Sequence, residues 1–585
     1  MRKLLTSALI IGSALIFCNC SSFSTASDKG KSDMSVQNQK RLNNLVSEIA
    51  VTEKSPGVFS FMNPKTGWVF LAAKTDSAKM DGDKIIRFEK GESMQWLPAG
   101  QHEISFNCKT ELTVRSIPEI IYSRCTAHYN SPDKQPFIKS SKEEHGREGM
   151  NLYYWDYLKK NILPNYNVIV GWMGPDCPIE KDWCNYGRKV IIGGSVSNDE
   201  TETTKIFAKW SKGFEAPYSG IIADEFVPPS KIISEKDETL GGYKPGLGFK
   251  KKILDLINQL HDKYKNNVSF YAYLGVPSDT PLKNCGPLME RLLKNNYYWV
   301  WEAYMWPDKS NPQDYLNKNL VGRMKNFRTL FPGSEKNCVV CLAPIISWDK
   351  ESVIDFKVWL DMQMNLIANN NAFDSIFGVT LWTSTYTDPE IQRWFSMLMR
   401  HYCIDGNTGM LSDKYGYTLK LNYISNSDFS DGLKMWDVDP AESGSIFVKK
   451  TKDFTFNKGY FPYSADLLVM KKTAKNNQIG QKIKNLKPGQ LYSISYLCGN
   501  PEITAGIKYN QQINISGAQV IQKAVDRRGD IRNNICWNYV RVIFRAEDES
   551  AYFSISDGNE NLSSGYPEMK EMIFDSIKVQ PFYND

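Results

Sequence analysis

Apolar and polar positions change their rhythm twice along this chain of 585 residues. Between residues 56 and 115 the apolar runs are short: GVFSF from Gly57, GWVFL from Gly67, IIRF from Ile85 and HEISF from His102, with a Pro98-Ala99-Gly100 turn between two of them. Short strands parted by turn residues, with no helical periodicity, predict a small N-terminal β-sandwich over residues 51–115. From Ile117 onward apolar runs alternate with amphipathic stretches. The runs are IPEIIYSR at Ile117, NVIVGWM at Asn167, KVIIGGSV at Lys189, GIIADEF at Gly220, VSFYAYLGV at Val268, YYWVWEAYMW at Tyr297, NCVVCLAPI at Asn337 and FGVTLWTSTY at Phe377. The stretches between them include residues 152–162, 203–210, 249–264, 287–294, 314–330 and 352–368. Near-continuous apolar strands separated by helices indicate a parallel sheet covered on both faces. Eight repeats over about 285 residues fit a central (β/α)8 TIM barrel, residues 116–410. A doubly wound open sheet is the other arrangement this alternation permits, but no Gly-rich fingerprint follows the first run. After His401 the short strands return, and residues 418–585 read as a C-terminal β-sandwich of jelly-roll type.

The N-terminus has its own pattern. Arg2 and Lys3 precede an apolar run over residues 4–17, long enough for a signal core and too short to span a bilayer. Residues 1–20 are therefore expected to act as an export signal, and the polar, Ser/Lys/Asn-rich residues 21–50 as a tether ending in a short helix. Ser24-Thr25-Ala26 offers a small-residue cleavage site, whereas Cys18 or Cys20 offers a lipid anchor to a membrane. The first route gives a secreted protein; the second gives a lipoprotein at the cell surface or in the periplasm.

Composition narrows the partners. With 42% hydrophobic and 23% charged residues, a wholly disordered or fibrous chain is excluded. A net charge of +6 spread over this length makes no clustered basic face, so no nucleic-acid partner is expected. Five histidines, and cysteines without a Cys-x-x-Cys pair of pairs, predict no metal site and no cofactor. In an oxidising compartment Cys177 and Cys184, Cys108 and Cys125, and Cys498 and Cys536 are possible pairs. Cys338 and Cys341, three apart in one strand, face opposite ways and read as buried free thiols. A monomer is expected.

In a barrel of this kind the chemistry sits at the C-terminal strand ends. The fourth run ends in Asp224-Glu225 and the sixth in Trp301-Glu302-Ala303-Tyr304. Carboxylates inside apolar strands are costly unless solvated, paired or hydrogen-bonded, so these three stand out. Two carboxyls across a cleft suit glycosidic cleavage: one protonates the leaving oxygen, the other attacks or activates water. Neighbouring strand residues point to opposite faces. Glu225, nearer the strand end, is expected as general acid, Glu302 as its partner, and Asp224 as an orienting residue or a contact to the helices. The competing reading has Asp224 and Glu225 capping a loop and Glu302 paired with a cation. Trp172, Trp301, Trp306, Trp348 and Trp382 fall at or beyond strand ends, with Tyr273, Tyr304 and Asp176 nearby. Aromatic faces stack on sugar C–H faces, so these residues are expected to bind substrate, against the alternative that they pack the barrel against its helices.

On these residues the central region resembles the (β/α)8 glycoside hydrolases. Many of those carry an acid/base carboxylate at the end of strand four, as at Glu225, and several a Trp on strand eight, as at Trp382. The large clan with two catalytic Glu uses strands four and seven, but here strand seven has no carboxylate before Asp349. Strands four and six are the pair of the α-galactosidase type, where both are usually Asp. The C-terminal region is similar to jelly-roll carbohydrate-binding modules. It opens Asn426-x-x-Phe429-x-x-Gly432-Leu433 with Trp436 following, has the turn Leu486-Lys487-Pro488-Gly489, and closes Phe574-Asp575-Ser576-Ile577. The resemblance implies an exported glycoside hydrolase that acts on a polysaccharide or oligosaccharide with two carboxylates. The alternative is a non-catalytic glycan-binding surface lipoprotein with a degenerate barrel.

Overall fold

Each of the eight apolar runs forms a strand in the computed structural model, and the eight close on themselves. They are β1 (Glu119–Tyr122), β2 (Val168–Gly171), β3 (Lys189–Ser195), β4 (Gly220–Asp224), β5 (Ser269–Leu274), β6 (Tyr298–Glu302), β7 (Cys338–Leu342) and β8 (Gly378–Leu381). All neighbours are parallel, and β8 pairs back onto β1 with Val379 opposite Ile120, which excludes the open doubly wound sheet. Gly378 permits that closure: a Cβ there would lie 2.5 Å from the Glu119 carbonyl oxygen. The structure describes residues 39–123, 136–139, 150–171, 182–195, 203–224, 226, 251–265, 268–275, 282–308, 310–345, 349, 351–454, 464–499, 511–527, 538–559 and 571–585. Cys18, Cys20, Trp172, Asp176, Glu225 and Trp348 lie outside these residues.

The connecting stretches are helical for a simple reason. In Lys251–Tyr264, Ile253, Leu254, Leu256, Ile257 and Leu260 recur at helical spacing and are buried, while Lys251 and Lys252 stay in solvent. Burying one such side chain contributes about 1.5–3 kcal/mol. The helix Phe356–Asn369 is covered on nearly all sides, and Asp355 caps it by accepting from the Lys357 N–H at 2.9 Å. No helix among the described residues is long and apolar enough to cross a membrane.

Residues 40–117 form one seven-stranded antiparallel sheet, rather than the two stacked sheets expected. Its long strands Ser47–Asn63 and Gly100–Ile117 pair through three register shifts between Glu48 and Gly57. Such bulges bend a strand and increase its twist, so a single sheet gathers its own apolar core around Phe59, Phe61, Val69, Leu71, Ile104 and Phe106. Residues 40–50, expected as the end of a tether, supply the strand Lys40–Arg41 and the start of Ser47–Asn63. The alternate residues Trp68, Phe70, Met94 and Ile117 face the other way and join the barrel core.

That contact closes the N-terminal end of the barrel. Trp68 Nε1 donates to Glu119 Oε2 at 3.1 Å and the Tyr271 hydroxyl donates to Glu119 Oε1 at 2.6 Å. Lys189 Nζ lies 3.4 Å from the Trp96 ring centroid and 5.3 Å from that of Trp68. Burial pushes the Lys189 ammonium down to about 8, against the opposing pull of Glu119. Its folded value is thus below the 10.5 of the exposed side chain, so between these values the unfolded chain holds the extra proton and stability rises with pH. Lys189→Met removes that rise. Urea midpoints at about pH 8 and about pH 9.5 should show wild type gaining about 2 kcal/mol more than the variant over this interval; equal gains would contradict the assignment.

The C-terminal region consists of two antiparallel sheets. One has the strand order Asp437–Asp439, Gln478–Ile483, Ala551–Asn559, Gln511–Ser516; the other runs Ile446–Lys450, Asp466–Lys471, Glu571–Pro581, Leu491–Gly499, Asn538–Ala546, Ala518–Arg527. Ile479, Phe553 and Ile555 of the first share one core with Leu468, Tyr492, Ile494, Tyr496 and Phe574 of the second. The Asn-x-x-Phe…Trp opening lies over that core: the Phe429 and Trp436 rings stack at 5.3 Å. Asn426 Nδ2 donates to the carbonyls of Gly432 and Lys434, both at 2.9 Å, and Trp436 Nε1 donates to the Asn426 carbonyl at 3.0 Å.

Residues 38–585 form one compact unit. Much of the join between barrel and C-terminal strands is ionic. Lys357 Nζ lies 3.2 Å from Asp355 Oδ1, 3.2 Å from Glu390 Oε1 and donates at 2.8 Å to the Pro581 carbonyl, with all three charged groups buried. Tyr583 packs its ring 5.1 Å from that of Trp394, and its N–H donates to Glu390 Oε1 at 3.0 Å. Of the cysteines, Cys338 and Cys341 are buried free thiols, as expected, and Cys108 is an exposed free thiol; Cys125, Cys177 and Cys536 lie outside the described residues.

Candidate active site

The C-terminal strand ends gather a compact polar group. Asp224 is the last residue of β4 and Glu302 the last of β6. Tyr273 stands on β5 between them, Cys341 on β7, and Ser123, Tyr304 and Trp382 just beyond β1, β6 and β8.

Strand alternation decides which of these look inward. On β5, Tyr271 reaches Glu119 and Tyr273 reaches Ser123 Oγ at 3.4 Å, both across the barrel, so this parity faces the interior. On β6 the ring of Tyr298 stacks 5.0 Å from that of Tyr271, which places Tyr298, Val300 and Glu302 inside. Trp299 and Trp301 then point outward, with rings 4.6 and 6.1 Å from Phe327 of the helix Gly322–Leu330. This corrects the expectation for Trp301: it is fully buried in the layer between barrel and helices and does not line the mouth. Glu302 sits directly opposite Cys341 in the β6–β7 register, so both side chains share the interior face.

The electrostatics of the tyrosines tie the group together. Burial pushes the Tyr273 hydroxyl well above its ordinary value, and Cys341, Asp224 and Glu302 add to the rise while the Ser123 contact opposes it. Tyr304 is raised in the same way, first by burial and then by Glu302, Cys341, Tyr273 and Asp224. The Tyr304 hydroxyl donates to Glu302 Oε1 at 3.3 Å. Burial also raises the Cys341 thiol, and Glu302 and Asp224 push it further, while the neighbouring Tyr304 and Tyr273 hydroxyls pull the other way. In the β4–β5 register Ile222 lies opposite Tyr271, so Asp224, two residues further on, shares the interior parity of Tyr271 and Tyr273, as Glu302 does on β6. Asp224, expected as an orienting residue or a contact to the helices, belongs to this interior group.

The Trp382 ring, partly exposed, meets Tyr273 edge to face at 5.1 Å. Tyr273 is itself almost wholly buried and backs the tryptophan rather than offering a face of its own. Trp306 is 54% exposed beyond the end of β6. Ser123 and Cys341 were not singled out as members of the site by sequence reasoning. The signal for Cys341 was its interior parity on β7; Ser123 carries no signal beyond following the first run. Among the described residues no group of His, Cys, Asp and Glu could hold a metal ion.

No protein-family model and no curated protein matches this chain. Solved structures similar to parts of it include CpGH84B, at 9% identity and a TM-score of 0.32 over 60% of this chain and 59% of that one. The CBM22-1–GH10 modules of the Clostridium thermocellum endo-1,4-beta-D-xylanase 10B, complexed with xylohexaose, match at 8% identity and a TM-score of 0.30, over 65% of this chain and all of that one. TmCBM61 in complex with beta-1,4-galactotriose matches 28% of this chain at 13% identity and a TM-score of 0.18, over 99% of its own length. These neighbours are glycoside hydrolases and a carbohydrate-binding module, but scores this low carry no argument. The barrel rests on its own closed register.

Proposed function

We propose that this protein is a glycoside hydrolase whose carboxylate pair is Asp224 and Glu302. The observation that carries this reading is that both carboxylates end strands, four and six, on the interior face at the C-terminal mouth of a closed barrel, with Tyr273 on strand five between them. One carboxyl protonates the leaving glycosidic oxygen while the other attacks the anomeric carbon or activates a water. Tyr304 holds Glu302 in place through its hydroxyl, and Trp382 with Tyr304 offers the sugar an aromatic wall. Glu225, favoured from sequence as general acid, is the neighbour of Asp224 outside the described residues. Export, with or without a lipid anchor at Cys18 or Cys20, belongs to the same proposal and rests on the basic and apolar pattern of residues 2–26.

Digestion of a panel of purified polysaccharides, with product analysis, tests it. New reducing ends from at least one polysaccharide are expected. Binding to a polysaccharide with no product from any would replace this reading with that of a glycan-binding surface protein. On the substrate so found, Trp382→Ala should remove aromatic contact of about 0.5–1.5 kcal/mol, a rise in KM of about 2- to 12-fold with little change in kcat. An unchanged KM would remove Trp382 from the subsite.

A further inference from the structure

The six-stranded C-terminal sheet turns one face to the barrel mouth. Its register sets Arg541 opposite Ser495, and Ser495 opposite Lys578. Paired residues project from the same face of a sheet, so these three form a row across neighbouring strands. Tyr496 and Val540, of the other parity, point into the sandwich core. The row therefore faces away from that core, and both of its cations end on the barrel. Arg541 Nη1 is 2.9 Å from Asp388 Oδ2 and 3.4 Å from Glu390 Oε2. Lys578 Nζ donates to the Ile354 carbonyl at 3.0 Å and pairs with Asp349. The side chains of Arg541 and Lys578 are 16% and 3% exposed, so these pairs lie outside the class of surface ion pairs that contribute almost nothing.

Both anchor points lie in connections that leave the C-terminal strand ends. Asp349 lies in the connection after β7, and Asp388 ends the short segment that follows β8 and begins at Trp382. That segment is held at its start, where the Trp382 N–H donates to the Leu342 carbonyl at 2.8 Å. It is held again at its end. The Thr387 hydroxyl donates to the Pro344 carbonyl at 2.8 Å, and Asp388 Oδ1 accepts from the Ile391 N–H at 2.8 Å as cap of the helix Pro389–Leu398. The far oxygen of the same Asp388 carboxylate receives Arg541.

We propose that Arg541 is a positioning residue for the segment that carries Trp382, so that the C-terminal sheet is a fixed brace of the site and not a module on a tether. Arg541 meets Asp388 and Glu390 rather than a candidate catalytic carboxylate; it sets Asp388, and through the six residues before it the pose of the Trp382 ring. The proposal rests on the hydrolase reading only for its kinetic arm.

The first test needs no turnover. Full-length protein labelled with 5-fluorotryptophan is examined by 19F NMR, with the Trp382 signal assigned through Trp382→Phe and the Trp68 signal, at the opposite end of the barrel, as internal control. Arg541→Met is expected to shift or broaden the Trp382 signal and leave that of Trp68 in place. Asp388→Asn, which keeps a good helix cap and removes the charge that Arg541 meets, should do the same and serves if Arg541→Met does not fold. An unmoved Trp382 signal in a folded variant overturns the proposal. On a cleaved substrate, Arg541→Met should raise KM to about the level of Trp382→Ala, and adding it to Trp382→Ala should raise KM no further. Additive effects would also overturn it. If the wild type cleaves nothing, a moved Trp382 signal still upholds the brace while the hydrolase reading falls; an unmoved signal in an active enzyme removes the brace alone.

Discussion

Glu302→Gln lowers the rate on any polysaccharide the wild type cleaves by about 10²- to 10⁴-fold, the range set by a lost proton-transfer or nucleophilic group. Asp224→Asn does the same. The amide is close in shape to the carboxylate and keeps an oxygen that can accept from the Tyr304 hydroxyl, which meets Glu302 at 3.3 Å. The thermal midpoint should therefore stay close to that of wild type, and the lost rate reports chemistry rather than unfolding. The two variants also divide the roles. A substrate with an activated aryl leaving group needs little protonation, so the variant that has lost the general acid recovers rate on it and the other does not. Wild-type turnover in both variants would remove the pair from the mechanism and return attention to Glu225.

Lys357→Met should destabilise the fold by about 3–5 kcal/mol, because it strips the cation from buried Asp355 and Glu390 and leaves two carboxylates without it in the interior. The measurement is urea unfolding at neutral pH. In a Lys357→Met/Asp355→Asn double variant part of the loss should return, since Glu390 keeps Arg541 at 3.4 Å whereas the charge of Asp355 was met by Lys357. The pH dependence has a definite sign. Although burial alone would lower it, Asp355 and Glu390 hold the Lys357 ammonium above its ordinary 10.5. Its contribution is fully present below about pH 10.5 and is lost as pH climbs beyond that. A variant within about 0.5 kcal/mol of wild type at neutral pH would show that the cluster contributes little.

The barrel was legible because a strand buried on both faces writes a near-continuous apolar run, and eight such runs recur along residues 117–386. The carboxylates at Asp224 and Glu302 were legible because a charge inside such a run is expensive. Which of Asp224 and Glu225 turns inward was not legible, since a one-residue change of register exchanges the two faces of a strand. The same parity misplaced Trp301: its position near a strand end suggested the mouth, but Val300 and Glu302 hold the inner face and Trp301 the outer. The N-terminal strands were read correctly as strands, but the bulges between Glu48 and Gly57 that let one sheet enclose its own core have no fixed sequence signature. Arg541 and Lys578 were invisible, because each looks like an ordinary exposed cation on a half-buried strand until its barrel partners, more than 150 residues away, are known.

The Lys357 cluster has a temporal consequence as well. The Pro581 carbonyl that completes it lies 224 residues beyond the lysine. At about 5–20 residues per second of synthesis, some 10–45 s separate the appearance of the two. Throughout that interval the helix Phe356–Asn369 carries an ammonium whose last acceptor does not yet exist, and the strand Glu571–Pro581, which belongs in the middle of its sheet, has not been made. The barrel can close before then but cannot be sealed. However early β8 pairs with β1, the Lys357 cluster is complete only once the strand Glu571–Pro581 has been added to its sheet.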